Sequence, residues 1–363
     1  MKQKQLKESS RNSSVECLRI LAMFFIVLSH ASVHGGFSSE PSKYIFNNIF
    51  LDWCVLGNLG VDIFILISGY FLSASTFNIK SILRLLIQVW FYSLLCFFIG
   101  LLFKHTYSVR QLLEIFLPTL FTEYWFFTAY VILVLFSPYI NLFINMSSKI
   151  QFSTCISVML ILWCIIPTFT GRSLYGTELP QFIMLYLIGA YFRRFPNGSI
   201  KKIILKKHIT VLSFFVLFLS SAFFRIGGVI IPAFKGRELF FYSRTSLFIV
   251  GCAVGMFSIS LNKKVFRNQF INLIGRSTFG MYLFHDNPTI RKILWKNWIN
   301  NTLFYNSKFL PLIILINVIF VYILCLIIEY LRQKICGKIT VGIVEKLYTR
   351  IDFIVHKLEN IGR

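Results

Sequence analysis

Long runs of apolar residues, separated by short polar stretches, organise this chain from one end to the other. A helix needs about 20 such residues to cross roughly 30 Å of hydrocarbon, within a range of about 17 to 25. Runs that meet or approach that length are Val15 to Val33, Val55 to Ser75, Ile82 to Phe103, Trp125 to Asn145 and Phe152 to Phe169. Five more are Pro180 to Phe195, Ile209 to Ile231, Leu239 to Leu261, Phe270 to His285 and Phe309 to Tyr330. The sixth and ninth are short, and Gly275 and Gly280 interrupt the ninth, so these two read as tilted, re-entrant or glycine-broken. The pattern predicts an all-α, polytopic helical membrane protein of about ten transmembrane helices. Its transmembrane domain covers residues 1–331 and a basic tail covers 332–363, with Ile335 to Leu358 reading as an amphipathic segment on the anionic inner leaflet.

Composition agrees, since 56% of the 363 residues are hydrophobic and 14% are charged. Globular chains average about 45 to 50% apolar, and a water-soluble fold cannot hide the excess. The net charge of +23 would suit nucleic acid, yet the cations fall between apolar runs instead of forming one patch. They read as topological. With the N-terminus inside, the inner segments hold Lys80, Arg84, Lys149, the run from Arg193 to Lys207, Lys263, Lys264, Arg267 and the tail cations. The outer segments hold about half as many, so the bias places both termini in the cytoplasm of a multi-pass cell-membrane protein. Heavy use of Ile, Phe, Lys and Asn points to a low-GC bacterial source. The eight cysteines show no CxxC pair and no zinc spacing, which makes them reduced packing residues and leaves no metal site expected. Lys2, Lys4, Lys7 and Arg11 before an apolar run look like a secretory signal, but no small-x-small site follows Ser29 to Gly36, so an uncleaved first span is expected.

Ionisable groups inside spans are costly and mark candidate sites. Arg19 and His30 lie eleven positions apart, which returns to within about 20° of one helix face, about 16 Å further along the axis. Ser13 and Glu16 fit a capping box, and Glu16 stands where it can steady Arg19. The competing reading is a snorkelling arginine and a histidine bonded to a neighbouring helix. Asp62, between glycines in the second span, must find a donor or cation. It is either an orienting partner for a histidine or an interfacial helix-end acid. No GxSxG elbow, P-loop, GxGxxG fingerprint or HExxH is present.

Four stretches together resemble the acyltransferase 3 family of membrane acyltransferases. They are Glu16-Cys17-Leu18-Arg19 leading to His30, Leu59 to Leu72 with Gly60, Asp62 and Gly69, Tyr124-Trp125-Phe126-Phe127, and Ile274 to His285. The arginine, ten residues and histidine of the first span carry most of the specificity, and the order of the four runs over nearly the whole chain. The resemblance implies an enzyme that esterifies a glycan or lipid-linked sugar hydroxyl with an acyl group, usually acetyl from cytoplasmic acetyl-CoA. It associates Arg19 with the donor and His30 with transfer, and implies a stand-alone form of the kind found among capsule and exopolysaccharide O-acetyltransferases.

Chemistry is compatible with that implication. Transfer to a sugar hydroxyl benefits from a general base, and histidine's ordinary pKa of about 6.5 suits the work, so His30 reads as general base or transient acyl acceptor. Coenzyme A is polyanionic, and Arg19 with the Arg193 to Lys207 loop supplies cations on the donor side. His285, followed by Asp286, matches a family histidine. Arg244, inside the expected eighth span, either reads a sugar or pyrophosphate or pairs with Glu238; Glu123 and Trp125 either cradle a sugar or form an ordinary interfacial belt. The expected partners are membrane lipids, acetyl-CoA and a glycan or lipid-linked sugar, with no permanently bound cofactor. The rival class is a transporter or flippase for a lipid-linked glycan, against which the missing repeated half argues.

Overall fold

The computed structural model describes residues 11–38, 40–121, 123–172, 178–196 and 207–361, with side chains left out at 207 and 355–361. Within them every expected span overlaps a helix. The elements are α1 (Ser13–Val33), α2 (Ile45–Cys54), α3 (Gly57–Leu72), α4 (Ile79–Leu102), α5 (Val109–Phe116), α6 (Trp125–Met146) and α7 (Lys149–Thr170, with a π-helical middle at Ile161–Ile165). They continue with α8 (Glu178–Arg194), α9 (Lys207–Ile230), α10 (Leu247–Asn262), α11 (Gln269–His285), α12 (Pro288–Lys292) and α13 (Leu310–Ile361).

Among the described residues, seven segments are long and apolar enough to cross a membrane: α1, α2 with α3, α4, α6, α7, α9 and α13. The other three expected spans are α8, α10 and α11, of 17, 16 and 17 residues. At 1.5 Å per residue these fall short of about 30 Å. They lie inside the bundle, with most of their middle residues buried by protein.

Burial separates the layers. In α1, and in α2 with α3, more than half of the apolar window is covered by protein (61% and 67%), against 22–33% in α4, α6, α7, α9 and α13. The inner pair is therefore walled by α8, α10 and α11, and the outer helices turn rows of Ile, Leu and Phe outward. Helix α1 runs parallel to α11: Ser13 Oγ donates to Asn272 at their starts (2.8 Å), and His30 meets His285 at their ends. Against α1, α3 runs the other way, with Gly57 beside Ser29 and Gly60 against the Ala22 carbonyl. A side chain at Gly60 would collide with that carbonyl, so glycine is what lets α3 approach this closely. The tail returns to the face where the chain starts, since Lys80 at the start of α4 pairs with Glu345 of α13 at 2.7 Å.

Several local expectations change. Asn12, not Ser13, caps α1 by accepting from the Ser14 amide at 3.0 Å, because the Ser13 hydroxyl is spent on α11. The eighth span begins at Leu247, capped by Ser246, and Phe240–Tyr242 forms only a 3-10 turn. Arg244 consequently lies in the lead-in to α10 and not inside a span. The segment after Tyr330 continues α13 without a break, giving 52 residues of helix and a rod about 78 Å long.

Candidate active site

One elongated cavity of about 500 Å³ runs along α1 between α3, α6 and α11, a volume in the ordinary range for small-molecule sites. Arg11, Arg19 and Arg276 line it at the end where α1 begins. His30, His34, Asp286, Trp125 and Arg244 line it at the other, with Met23, Ile26, Phe64 and Phe279 among the apolar wall residues. Arg19 and His30 thus share one cavity, as their common helix face predicts, about 16 Å apart along α1.

At the first end Glu16 is the anchor. Its carboxylate, 4% exposed, accepts from Arg19 Nη1 at 3.1 Å and Arg11 Nη1 at 3.2 Å. Gly275 of α11 packs on that carboxylate, and any side chain there would strike it. Two guanidiniums meet that one carboxylate, and Arg276 lines the same end of the cavity. Among the described residues only the Nη1 of Arg19 is engaged, so its remaining N–H donors face the cavity for an anion. Of the basic loop expected to help, residues 197–206 lie outside the described part; Arg193 and Arg194 contact Tyr70 and Asn145.

The far end gathers histidines. His30 Nδ1 is 3.0 Å from His285 Nε2 and 3.6 Å from Asp286 Oδ1. His285, fully buried in the last turn of α11, places its Nδ1 2.6 Å from the Met281 carbonyl oxygen. Asp286 is tied by Arg291 at 2.7 Å, and the rings of His30 and His34 lie 5.1 Å apart. Burial raises the Asp286 carboxyl pKa above the ordinary range against the pull of Arg291, and burial followed by Arg291 lowers that of His34. His30, His34 and Asp286 offer ligand atoms within 4.8 Å of one another. The Arg291 guanidinium already occupies that carboxylate, however, and sets a fixed cation where a metal ion would compete.

Asp62 stands elsewhere. It is fully buried and accepts from Gln181 Nε2 at 3.2 and 3.4 Å, and among the described residues no hydrogen bond or ion pair joins it to His30. Gln181 also donates to the Arg244 carbonyl, so Asp62 holds the loop that carries Arg244. The Arg244 guanidinium lies 4.0 Å from the Trp125 ring centroid and 3.7 Å from Glu178. Glu238, its expected partner, pairs with Arg225 at 3.1 Å instead. Trp125 lines the cavity, whereas Glu123 lies behind it, accepting from Asn287 at 3.0 Å and Ser93 at 3.4 Å. Glu123 thereby supports the turn after His285.

His34, Arg276 and Arg291 were not singled out from the sequence. The i, i+4 spacing of His30 and His34 was a usable signal for the first. For Arg276 the signal was its place inside the Ile274 to His285 stretch, whereas for Arg291 only the packing of α12 tells it from an ordinary loop cation.

A family model described as an acyltransferase domain, that of acyltransferase 3, matches residues 12–330. No curated protein and no solved structure matches the chain.

Proposed function

The chain belongs to the acyltransferase 3 family and is a membrane acyltransferase; on that premise we propose that it moves acetyl from acetyl-CoA onto a hydroxyl of a cell-surface polysaccharide or its lipid-linked precursor. The observation that carries this reading is the single cavity with guanidiniums at one end and histidines at the other. A polyanionic donor binds where Arg19, Arg11 and Arg276 gather, and its thioester reaches along the apolar wall to His30. The acceptor enters from the opposite face, beside Trp125 and Arg244. His30 takes the proton of the acceptor hydroxyl, whose oxygen bonds to the thioester carbon; the carbon–sulfur bond breaks and the thiolate receives that proton. Loop charge puts the donor end at the cytoplasm. A conduit for glycan would need no arginine-to-histidine division of the cavity, and family membership favours transfer over transport.

Three variants separate donor binding from chemistry. His30→Ala should lose transfer by about 10² to 10⁴-fold and still bind acetyl-CoA in a purified-protein assay. Arg19→Ala should bind the donor poorly, and Arg19→Lys should fall between, keeping charge but losing the planar fork. Near-wild-type transfer by folded His30→Ala would remove the histidine from the mechanism.

A further inference from the structure

A histidine acts as a base only through a ring nitrogen with a free lone pair, and its neighbours decide which nitrogen that is. His285 supplies the deciding contact. Its Nδ1 lies 2.6 Å from the Met281 carbonyl oxygen, and a carbonyl can only accept, so this nitrogen carries the hydrogen. In the neutral ring Nε2 is then the acceptor, and it faces His30 Nδ1 at 3.0 Å. His30 must therefore donate from Nδ1, which leaves the lone pair on Nε2. Among the described residues Nε2 makes no hydrogen bond, and His30 lines the cavity.

We propose that His285 is a positioning residue which, braced by the Met281 carbonyl, holds His30 as the Nδ1–H tautomer and presents Nε2 to the acyl acceptor. The proposal rests on reading His30 as the base. Asp286 competes for the same hydrogen from 3.6 Å, but its Oδ1 is already bound by Arg291 at 2.7 Å. The other titratable groups at this end are His34, one turn along α1, and Tyr282 of α11. During transfer the acceptor proton passes to His30 Nε2 and from there to the departing sulfur. His285 exchanges none, and the nearby Asp286 carboxylate offsets the positive charge that His30 carries in between.

Substitutions at 285 distinguish tautomer control from packing. In His285→Gln the amide spans the same two contacts, donating to Met281 and accepting from His30 Nδ1. His285→Leu fills the space but leaves the His30 hydrogen without its acceptor. The assay uses purified full-length protein, acetyl-CoA, and alkali-deacylated surface polysaccharide of the source cells as acceptor probe, with thiol release as the readout. His285→Leu should lower kcat by about 10²-fold with the KM for acetyl-CoA within about twofold, and His285→Gln should recover to within about tenfold of wild type. Leu at near-wild-type kcat, or Gln as slow as Leu, overturns the proposal. His30→Ala run alongside separates the two readings: if it is active the base assignment fails, and if it is inactive while His285→Leu is active only the positioning role fails. Should His285→Leu not fold, imidazole nitrogen-15 spectra of the wild-type protein, assigned with His30→Ala, decide directly. Hydrogen on Nδ1 of His30 is expected; hydrogen on Nε2 overturns the proposal.

Discussion

Burial governs how Glu123 titrates. Packed behind the turn that follows His285, its carboxyl is pushed from 4.5 to about 7 by desolvation, against the hydrogen bonds from Ser93 and Asn287. The folded protein therefore keeps a proton that the unfolded chain has already lost, and stability falls as pH rises from 4.5 through about 7, then levels. Glu123→Gln stays neutral and removes that slope. It should gain about 1 to 2 kcal/mol over wild type on going from about pH 5 to about pH 7.5, after discounting for partial exposure. Thermal unfolding of both proteins in detergent at the two pH values checks this, and parallel curves with no relative gain would contradict it. At this scale the sequence carried Arg19 and His30, because a single helix fixes how eleven positions relate. It did not carry the exchange of Asp62 for His285 beside His30. That depends on which turn of a separate helix packs against α1, and spacing along one chain segment holds no such information.

Elements are held together by polar groups that the hydropathy pattern conceals. Glu329, 1% exposed in the middle of α13, accepts from Arg332 through two nitrogens at 2.7 Å, from Tyr92 of α4 at 2.6 Å and from Gln333 at 2.7 Å. It also presses on Gly280 of α11, so one carboxylate fastens three helices. Glu329→Leu leaves the Arg332 cation buried at 10% exposure without its counter-ion, and removing one partner of a buried pair costs about 3 to 5 kcal/mol. The variant should unfold at clearly lower temperature, with acetyl-CoA affinity unchanged in the fraction that remains folded. An unaltered unfolding temperature would show that α13 is held by apolar packing alone. Helix existence was legible from the apolar runs, but helix starts were less so. Leu239 to Leu261 reads as one run, yet the Ser246 side chain caps the helix by accepting from the Phe248 amide at 3.3 Å, which leaves Arg244 in a loop. Gly337 and Gly342, which suggested nothing in the sequence, do not interrupt α13; a side chain at either would meet open space.

For the whole molecule, the alternation of spans and the charge of the loops were readable because each is a property of local composition. The layering was not. Of the three short helices only α10 is as apolar as its neighbours, and the shortness of α8 and α11, with Gly275 and Gly280 in the latter, was the hint that protein surrounds them. That layering sets guanidiniums and histidines at opposite ends of one cavity along α1, the arrangement on which the proposed donor-to-acceptor transfer through His30 rests. The most direct test is the alkali-labile acetate carried per sugar on the surface polysaccharide of cells whose only copy of the protein bears His30→Ala. The account predicts polysaccharide exported in wild-type amount, protein present at its normal level, and the acetate gone. Acetate near the wild-type value, or export lost while acylation persists, would contradict it.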